Sequence, residues 1–227
     1  MNDLFMFTIS GIATFLLLVF RKKKYDIRWK SIVIILLIVG CAGYLGAMFG
    51  SYLSYGSWRG IRFYSKALFV TITLWVVSKT IKGTATNIMD YYAPIDILAL
   101  VVMKINCLIT GCCAGVELCT NENGEKIFFP SQIIELIVAV IIFLVVILLE
   151  KKSKCTGYRY YIYLLIYGST RFVLDYFRST PSNKVALGGM IISITQLFCI
   201  ALVIMGVWGV YRARKQKQSI SIMNDCG

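Results

Sequence analysis

The stretch GSTRFVLDYFRS, residues 168–179, sets Arg171, Asp175 and Arg178 at spacings of four and three, one face of a helix, within an otherwise apolar run. A guanidinium fork matches the oxygens of a phosphate. Two further segments carry charge into apolar surroundings: KINCLITGCCAG (104–115) places Lys104, and PSQIIE (130–135) places Gln132 and Glu135 one turn apart. Asp96 joins Lys104, Glu135, Arg171 and Asp175 inside or at the edge of apolar runs, where ionised groups are expensive and usually face a polar cavity. A plain Arg171–Asp175 ion pair accounts for those two residues alone. With Lys104, Arg178, Arg59 and Arg62 added, positive charge is in excess, and the chemistry expected is the holding of an anionic lipid headgroup in an outward-facing cavity.

The cysteines point less clearly. Cys107, Cys112, Cys113 and Cys119 cluster, but Cys-x4-Cys-Cys is not a zinc spacing, and the chain has no histidine. No metal and no cofactor is expected. A disulfide between Cys112 or Cys113 and Cys119 fits an oxidising compartment. Cys107 reads as packing, and Cys41 and Cys199 read as small hydrophobes. The lack of histidine also removes the usual near-neutral acid–base group, so proton transfer falls to carboxylates, tyrosines, lysines, thiols or the substrate.

The elements that must position these groups are membrane helices. The chain has 227 residues, 58% hydrophobic and only 15% charged, against about 25% charged in soluble domains. Apolar runs at 4–20, 31–53, 67–78, 95–111, 130–149, 160–177 and 187–211 read as seven spans, the third short enough to be tilted or partly re-entrant. The first run follows no basic segment and precedes no small-residue cleavage site, so it reads as a retained span. Lys and Arg outside the spans divide sixteen to six when the N-terminus is placed outside and the C-terminus in the cytoplasm. The +13 net charge is thereby a topology signal in RKKK (21–24) and RARKQK (212–217), not a nucleic-acid surface. Without repeats or linkers, residues 1–227 read as a single all-α, polytopic transmembrane domain. Gly40, Gly43, Gly46 and Gly50 have spacing for close helix packing. Pro130 reads as the first turn of the fifth span, with Ser131 and Gln132 as caps or polar ligands. Gly111, Ala114 and Gly115 read as a break in the fourth span.

In order along the chain, GAMFGSYLS, WRGIRFYSK, APIDILALVVMKINCLITGCCAG, PSQIIE, RFVLDYFR and GGMIISITQLF resemble the motifs of the prolipoprotein diacylglyceryl transferase family, over roughly residues 40–200. Family members are bacterial plasma-membrane enzymes with seven spans. The resemblance places Lys104 where the family has its signature arginine, Met103 at a glycine, Cys107 and Cys112 at an Asn and a Glu, Met48 at a second-span arginine, and Asp175 at a Glu. Arg171, Arg178, Gln132 and Glu135 match, and Tyr64 stands at a His or Tyr position. The resemblance implies transfer of diacylglyceryl from phosphatidylglycerol to the cysteine thiol of a lipobox-type peptide. Arg171 and Lys104 would stabilise the leaving phosphate, with Glu135 as thiol base or orienting partner. Arg178, Tyr64, Gln132 and Asp175 would bind or position substrate.

Three other readings stand beside it. A divergent member would modify a particular peptide, or bind lipid or lipopeptide without turnover, as the Arg-to-Lys change allows. A membrane thiol–disulfide protein would act through Cys112, Cys113 and Cys119, but the chain has no Cys-x-x-Cys. A transporter with a charged mid-membrane site would ordinarily carry internal repeats.

Overall fold

A computed structural model describes residues 3–25, 29–58, 62–80, 85–111, 115–120, 125–152, 158–179, 184–187 and 190–225. Among them run seven α-helices: α1 (Asp3–Tyr25), α2 (Trp29–Tyr55), α3 (Phe63–Thr80), α4 (Ala85–Thr110), α5 (Ser131–Lys152), α6 (Arg159–Leu174) and α7 (Ile194–Asp225). Two antiparallel hairpins interrupt them. One pairs β1 (Glu117–Thr120) with β2 (Lys126–Phe128), and the other pairs β3 (Lys184–Leu187) with β4 (Met190–Ser193). The chain is mostly helical, and four helical segments are long and apolar enough to cross a membrane: Trp29–Tyr55, Ile88–Thr110, Ser131–Lys151 and Ile194–Lys215.

The apolar runs found the helices but misjudged several ends. The fourth helix begins at Ala85, ten residues before the run from 95, because Asp90, Tyr91 and Tyr92 are buried helix residues despite their polarity. The last helix begins at Ile194, later than 187, because the preceding residues pair as a hairpin. Glycines in the left-handed region end two helices: Gly56 (φ +67°) follows α2, its N–H returning 2.7 Å to the Tyr52 carbonyl, and Gly111 (φ +66°) follows α4. Pro130 precedes α5, and its carbonyl accepts the N–H of Ile134 at 3.2 Å.

Small residues set the packing. On α2, side chains at Gly43, Gly46 and Gly50 would run into Lys66 and Val70, Phe69, and Ser65 of α3. Gly40 does not share this role: nothing stands within 4 Å of where its Cβ would be. Gly206 and Gly209 of α7 likewise leave room for Leu165 and Tyr161 of α6. Ile, Leu and Val side chains on α2, α5 and α7 point outward, among them Leu37, Ile141 and Ile204, the surface a bilayer solvates without cost.

The basic flanking residues are not all solvated. Arg21 and Arg159, counted above as loop charges, are buried in a network with Tyr25, Asp90 and Glu150 at the end of the bundle away from the hairpins. Lys66 likewise lies inside the first turn of α3, its ammonium 3.0 Å from Asp96.

Candidate active site

Glu135 stands one turn into α5, directly after the β1–β2 hairpin, on the face of the helix that turns inward. One carboxylate oxygen accepts from Arg171 Nη1 in the last turn of α6, and the other accepts from Lys104 Nζ on α4. One carboxylate thus bridges two cations from two different helices. Glu135 is 5% exposed and Arg171 4%, so these charges meet in a medium where each matters far more than at a surface. Asp175, one turn beyond Arg171, approaches its other Nη at 3.9 Å, a loose pairing.

Arg178 completes the cluster from the backbone outward. It pairs as an isolated antiparallel bridge with Gly115, and the Val116 N–H donates to the Phe177 carbonyl at 3.0 Å. On the other side, the Phe129 N–H donates to the Val116 carbonyl at 2.9 Å, and the Phe129 and Phe177 rings stack at 4.7 Å. Three short segments therefore lie side by side. Gly115 must be glycine here, since a Cβ would strike the Phe129 carbonyl. Arg178 is buried, within electrostatic reach of Glu135, and its Nε has no hydrogen-bond partner among the described residues. Lys104, Arg171 and Arg178 against Glu135 and Asp175 leave one positive charge in excess.

Ser193 is a member that sequence reasoning missed. Its Oγ donates to Asp175 at 2.5 Å and accepts the Gln196 N–H at 3.1 Å, while the Gln196 side chain accepts the Ser193 N–H at 3.0 Å. This is the reciprocal capping box of a Ser-x-x-Gln sequence, and SITQ (193–196) was legible as one. The start of α7 thereby fixes Asp175, which approaches Arg171 at 3.9 Å.

The other expected residues are distributed differently. Gln132 is half-buried, one turn before Glu135. Tyr64 is buried but shares a hydrogen bond with Ser54 at 2.7 Å and packs on Phe198, outside the Lys104–Glu135–Arg171 contacts. Arg62 lies over the Tyr55 ring at 4.1 Å. Cys107 is half-buried and Cys119 is exposed on β1. Arg59, Cys112, Cys113 and Ala114 lie outside the described residues.

The cluster is closed. The space among Lys104, Glu135, Tyr167 and Arg171 is about 10 Å³, about enough for one water. A second cavity, about 280 Å³, lies on the neighbouring face of α4, between α1 and α2.

Chemically, the cluster can hold an anion on preorganised guanidinium donors, with a carboxylate beside them and apolar helix walls around them. The chain is 25% identical to phosphatidylglycerol–prolipoprotein diacylglyceryl transferase of Dehalococcoides mccartyi over 174 residues, 72% of this chain and 65% of the relative. It is 22% identical to the protein of that name from Chlorobaculum tepidum, over 73% of this chain and 60% of the relative. To the second such transferase of Clostridium perfringens it is 28% identical, over 60% of this chain and 55% of the relative. The chain thus spans less than two thirds of these curated relatives. The family model for prolipoprotein diacylglyceryl transferase matches residues 4–212, and the chain belongs to that family.

Proposed function

We propose that the protein transfers diacylglyceryl from phosphatidylglycerol to the cysteine thiol of a lipobox-bearing prolipoprotein. The thiolate sulfur attacks the glyceryl carbon that carries the phosphate. The C–S bond forms as the C–O bond to phosphate breaks, and glycerol phosphate leaves with the bonding pair. The thiol proton passes to a base and ends on solvent or on the released phosphate. Negative charge grows on the leaving phosphate, so cations placed there in advance lower the barrier.

The observation that carries this reading is the bridge of one buried carboxylate, Glu135, between Lys104 and Arg171, with Arg178 beside it as surplus charge. Arg171 and Lys104 receive the phosphate, Lys104 with a single-point ammonium in place of a fork. Arg178 adds charge beside Glu135, its buried Nε without a hydrogen-bond partner among the described residues. Asp175 and Ser193 position Arg171. Both Glu135 oxygens are engaged by cations, so it acts first as the orienting partner. It becomes a thiol base only when substrate draws Lys104 or Arg171 away. Gln132, half-buried, and Tyr64, buried, are assigned to substrate contacts.

The same reading makes residues 1–227 one multi-pass domain of a bacterial plasma membrane, with seven spans, the N-terminus outside and the hairpins at the outer face. The hairpin end carries the cluster, and basic residues dominate the opposite loops.

Mass spectrometry of a lipobox peptide incubated with purified protein and phosphatidylglycerol tests the activity. A diacylglyceryl mass increment is expected with the wild type and absent with Arg171→Ala, while Glu135→Gln is strongly slowed. A second reading, lipid binding without turnover, is favoured by the closed cluster and by lysine at position 104. Retained phosphatidylglycerol with no increment, beside a family enzyme active in the same assay, would establish that reading instead.

A further inference from the structure

Helices α4 and α6 run in the same direction, toward the hairpin end, and polar side chains link them at three levels. At the lowest, Asp90 Oδ1 accepts the Arg159 and Tyr160 N–H groups at 3.0 and 3.4 Å. In the middle, the Tyr163 hydroxyl donates to Asp96 Oδ2 at 2.9 Å. At the highest, Lys104 and Arg171 share the Glu135 carboxylate. The upper two levels match in spacing: Lys104 stands eight residues beyond Asp96, and Arg171 eight beyond Tyr163. Each step is about 12 Å of helix at 1.5 Å per residue. Halfway along it, Leu100 and Tyr167 line the same small space as Lys104 and Arg171.

Pro94 gives the middle contact its importance. It lies inside α4 and has no N–H to offer the Asp90 carbonyl, which accepts Arg21 Nη2 at 3.2 Å instead. Helices bend where a proline interrupts the ladder, so the lower network does not by itself fix the outer part of α4, which carries Lys104. Two residues past the proline, Asp96 takes hold of α6. Asp96 and Tyr163 are both fully buried. Lys66 of α3 balances the carboxylate from 3.0 Å, but Oδ1 receives no aligned hydrogen bond. The directional contact at Asp96, among the described residues, is the one from Tyr163. Apolar helix faces have little preference between one another and lipid, whereas a hydrogen bond in so dry an interior is strong and specifies one arrangement.

We propose that Tyr163 and Asp96 are positioning residues for the reacting cluster: their hydrogen bond sets the height of the outer half of α4 against α6, and so places the Lys104 ammonium relative to Glu135 and Arg171. The inference rests on the reading that Lys104 and Arg171 receive a lipid phosphate.

The test is a double-mutant cycle on the full chain in detergent, with kcat/KM for lipidation of a lipobox peptide per folded protein and phosphatidylglycerol affinity by native mass spectrometry as its two readouts. Tyr163→Phe removes the hydroxyl and keeps the ring. It should lower kcat/KM about tenfold, less than the roughly 10²-fold that misplacing a reacting group by 1 Å costs. On a Lys104→Ala background the same change should cost nothing further, because its effect passes through Lys104. Tyr160→Phe removes an equally buried hydroxyl that bonds Thr71 of α3 at 3.1 Å, and it should leave the rate per folded protein unchanged. Lys66→Gln/Asp96→Leu removes the contact without leaving a buried charge and serves where Tyr163→Phe does not fold. Lys66→Gln/Asp96→Asn keeps an acceptor for Tyr163 and should restore most of the rate lost with leucine. Wild-type kcat/KM in Tyr163→Phe, an undiminished loss on the Lys104→Ala background, or an equal loss in Tyr160→Phe would overturn the proposal and leave the transferase reading standing. A wild type that binds phosphatidylglycerol without lipidating peptide would sink the transferase reading alone, and the same pattern across the variants is then expected in affinity. A wild type that does neither would overturn both.

Discussion

Two buried ionic clusters occupy opposite ends of the bundle, and they are built on different principles. At the end away from the hairpins, Arg21 and Arg159 face Asp90 and Glu150. Arg21 Nη1 meets Glu150 at 2.5 Å, and its Nε donates to the Tyr91 carbonyl at 3.2 Å. Tyr25 gathers the rest: its hydroxyl donates to Glu150 at 3.1 Å and accepts from Arg159 at 2.9 Å and from Arg21 at 3.1 Å. Two buried arginines cancel two buried carboxylates, with half-exposed Lys24 at the rim, 2.8 Å from Glu150. At the hairpin end, Lys104, Arg171 and Arg178 face Glu135 and Asp175. The first network ties α1, α4, α5 and α6 together. On the proposed function, the second has positive charge left over to meet an anion.

The sharpest way to break this contrast is to open each cluster. Arg159→Ala removes a cation from beside buried Asp90, and breaking such a pair costs about 3–5 kcal/mol. The midpoint of denaturant unfolding in detergent should fall markedly, while the protein that remains folded at low temperature transfers lipid normally. Arg171→Ala should act the other way, lowering the turnover of folded protein by about 10²–10³-fold, the effect of removing one preorganised donor to a developing anion. Peptide lipidation per folded protein measures it. Rates equal to wild type would place the chemistry elsewhere.

Ser193→Ala is expected to be milder. It removes the cap of α7, worth about 1 kcal/mol, and frees Asp175. Its signature as a positioning residue is a lower kcat with phosphatidylglycerol KM little changed, and threonine should restore most of the rate. The smallest effect is expected on the β1–β2 hairpin. Glu117 accepts from Lys126 at 2.8 Å at an exposed site, and that hydrogen bond holds its carboxyl below the ordinary carboxylate range. A depressed pKa adds stability only above the unfolded value, lost as pH falls through the folded one. At full exposure solvent screens the gain, so Glu117→Gln should leave unfolding unchanged at neutral and at acid pH.

Much of the hairpin-end cluster was legible because charge in an apolar run is conspicuous. Arg171, Glu135 and Lys104 stand in sequence surroundings that otherwise read as membrane, and the structure brings all three together. The Arg171–Asp175 spacing of four pointed to a pair, but the tighter partner of Arg171 is Glu135, 36 residues away. No periodicity on one helix reports which neighbour a side chain meets across the bundle. The other cluster was hidden for the opposite reason. Arg21 and Arg159 sit in basic flanks, where loop charge is the ordinary expectation, and only tertiary packing buries them. Both hairpins were missed because strands of three or four residues are too short to show alternation. Gly40 shows the limit of spacing as a signal: it shares the small-residue stripe of α2, yet it faces the cavity between α1 and α2 instead of α3.

One paired measurement tests the central claim most directly: lipidation of a lipobox peptide per unit of folded protein, for Arg171→Lys and Arg159→Lys side by side. Each variant keeps a positive charge and loses the planar fork. The account predicts that Arg171→Lys loses most of its rate at near-normal stability, while Arg159→Lys keeps its rate and loses stability. Full activity in Arg171→Lys together with an inactive, stably folded Arg159→Lys would contradict it and move the reacting centre to the other end of the bundle.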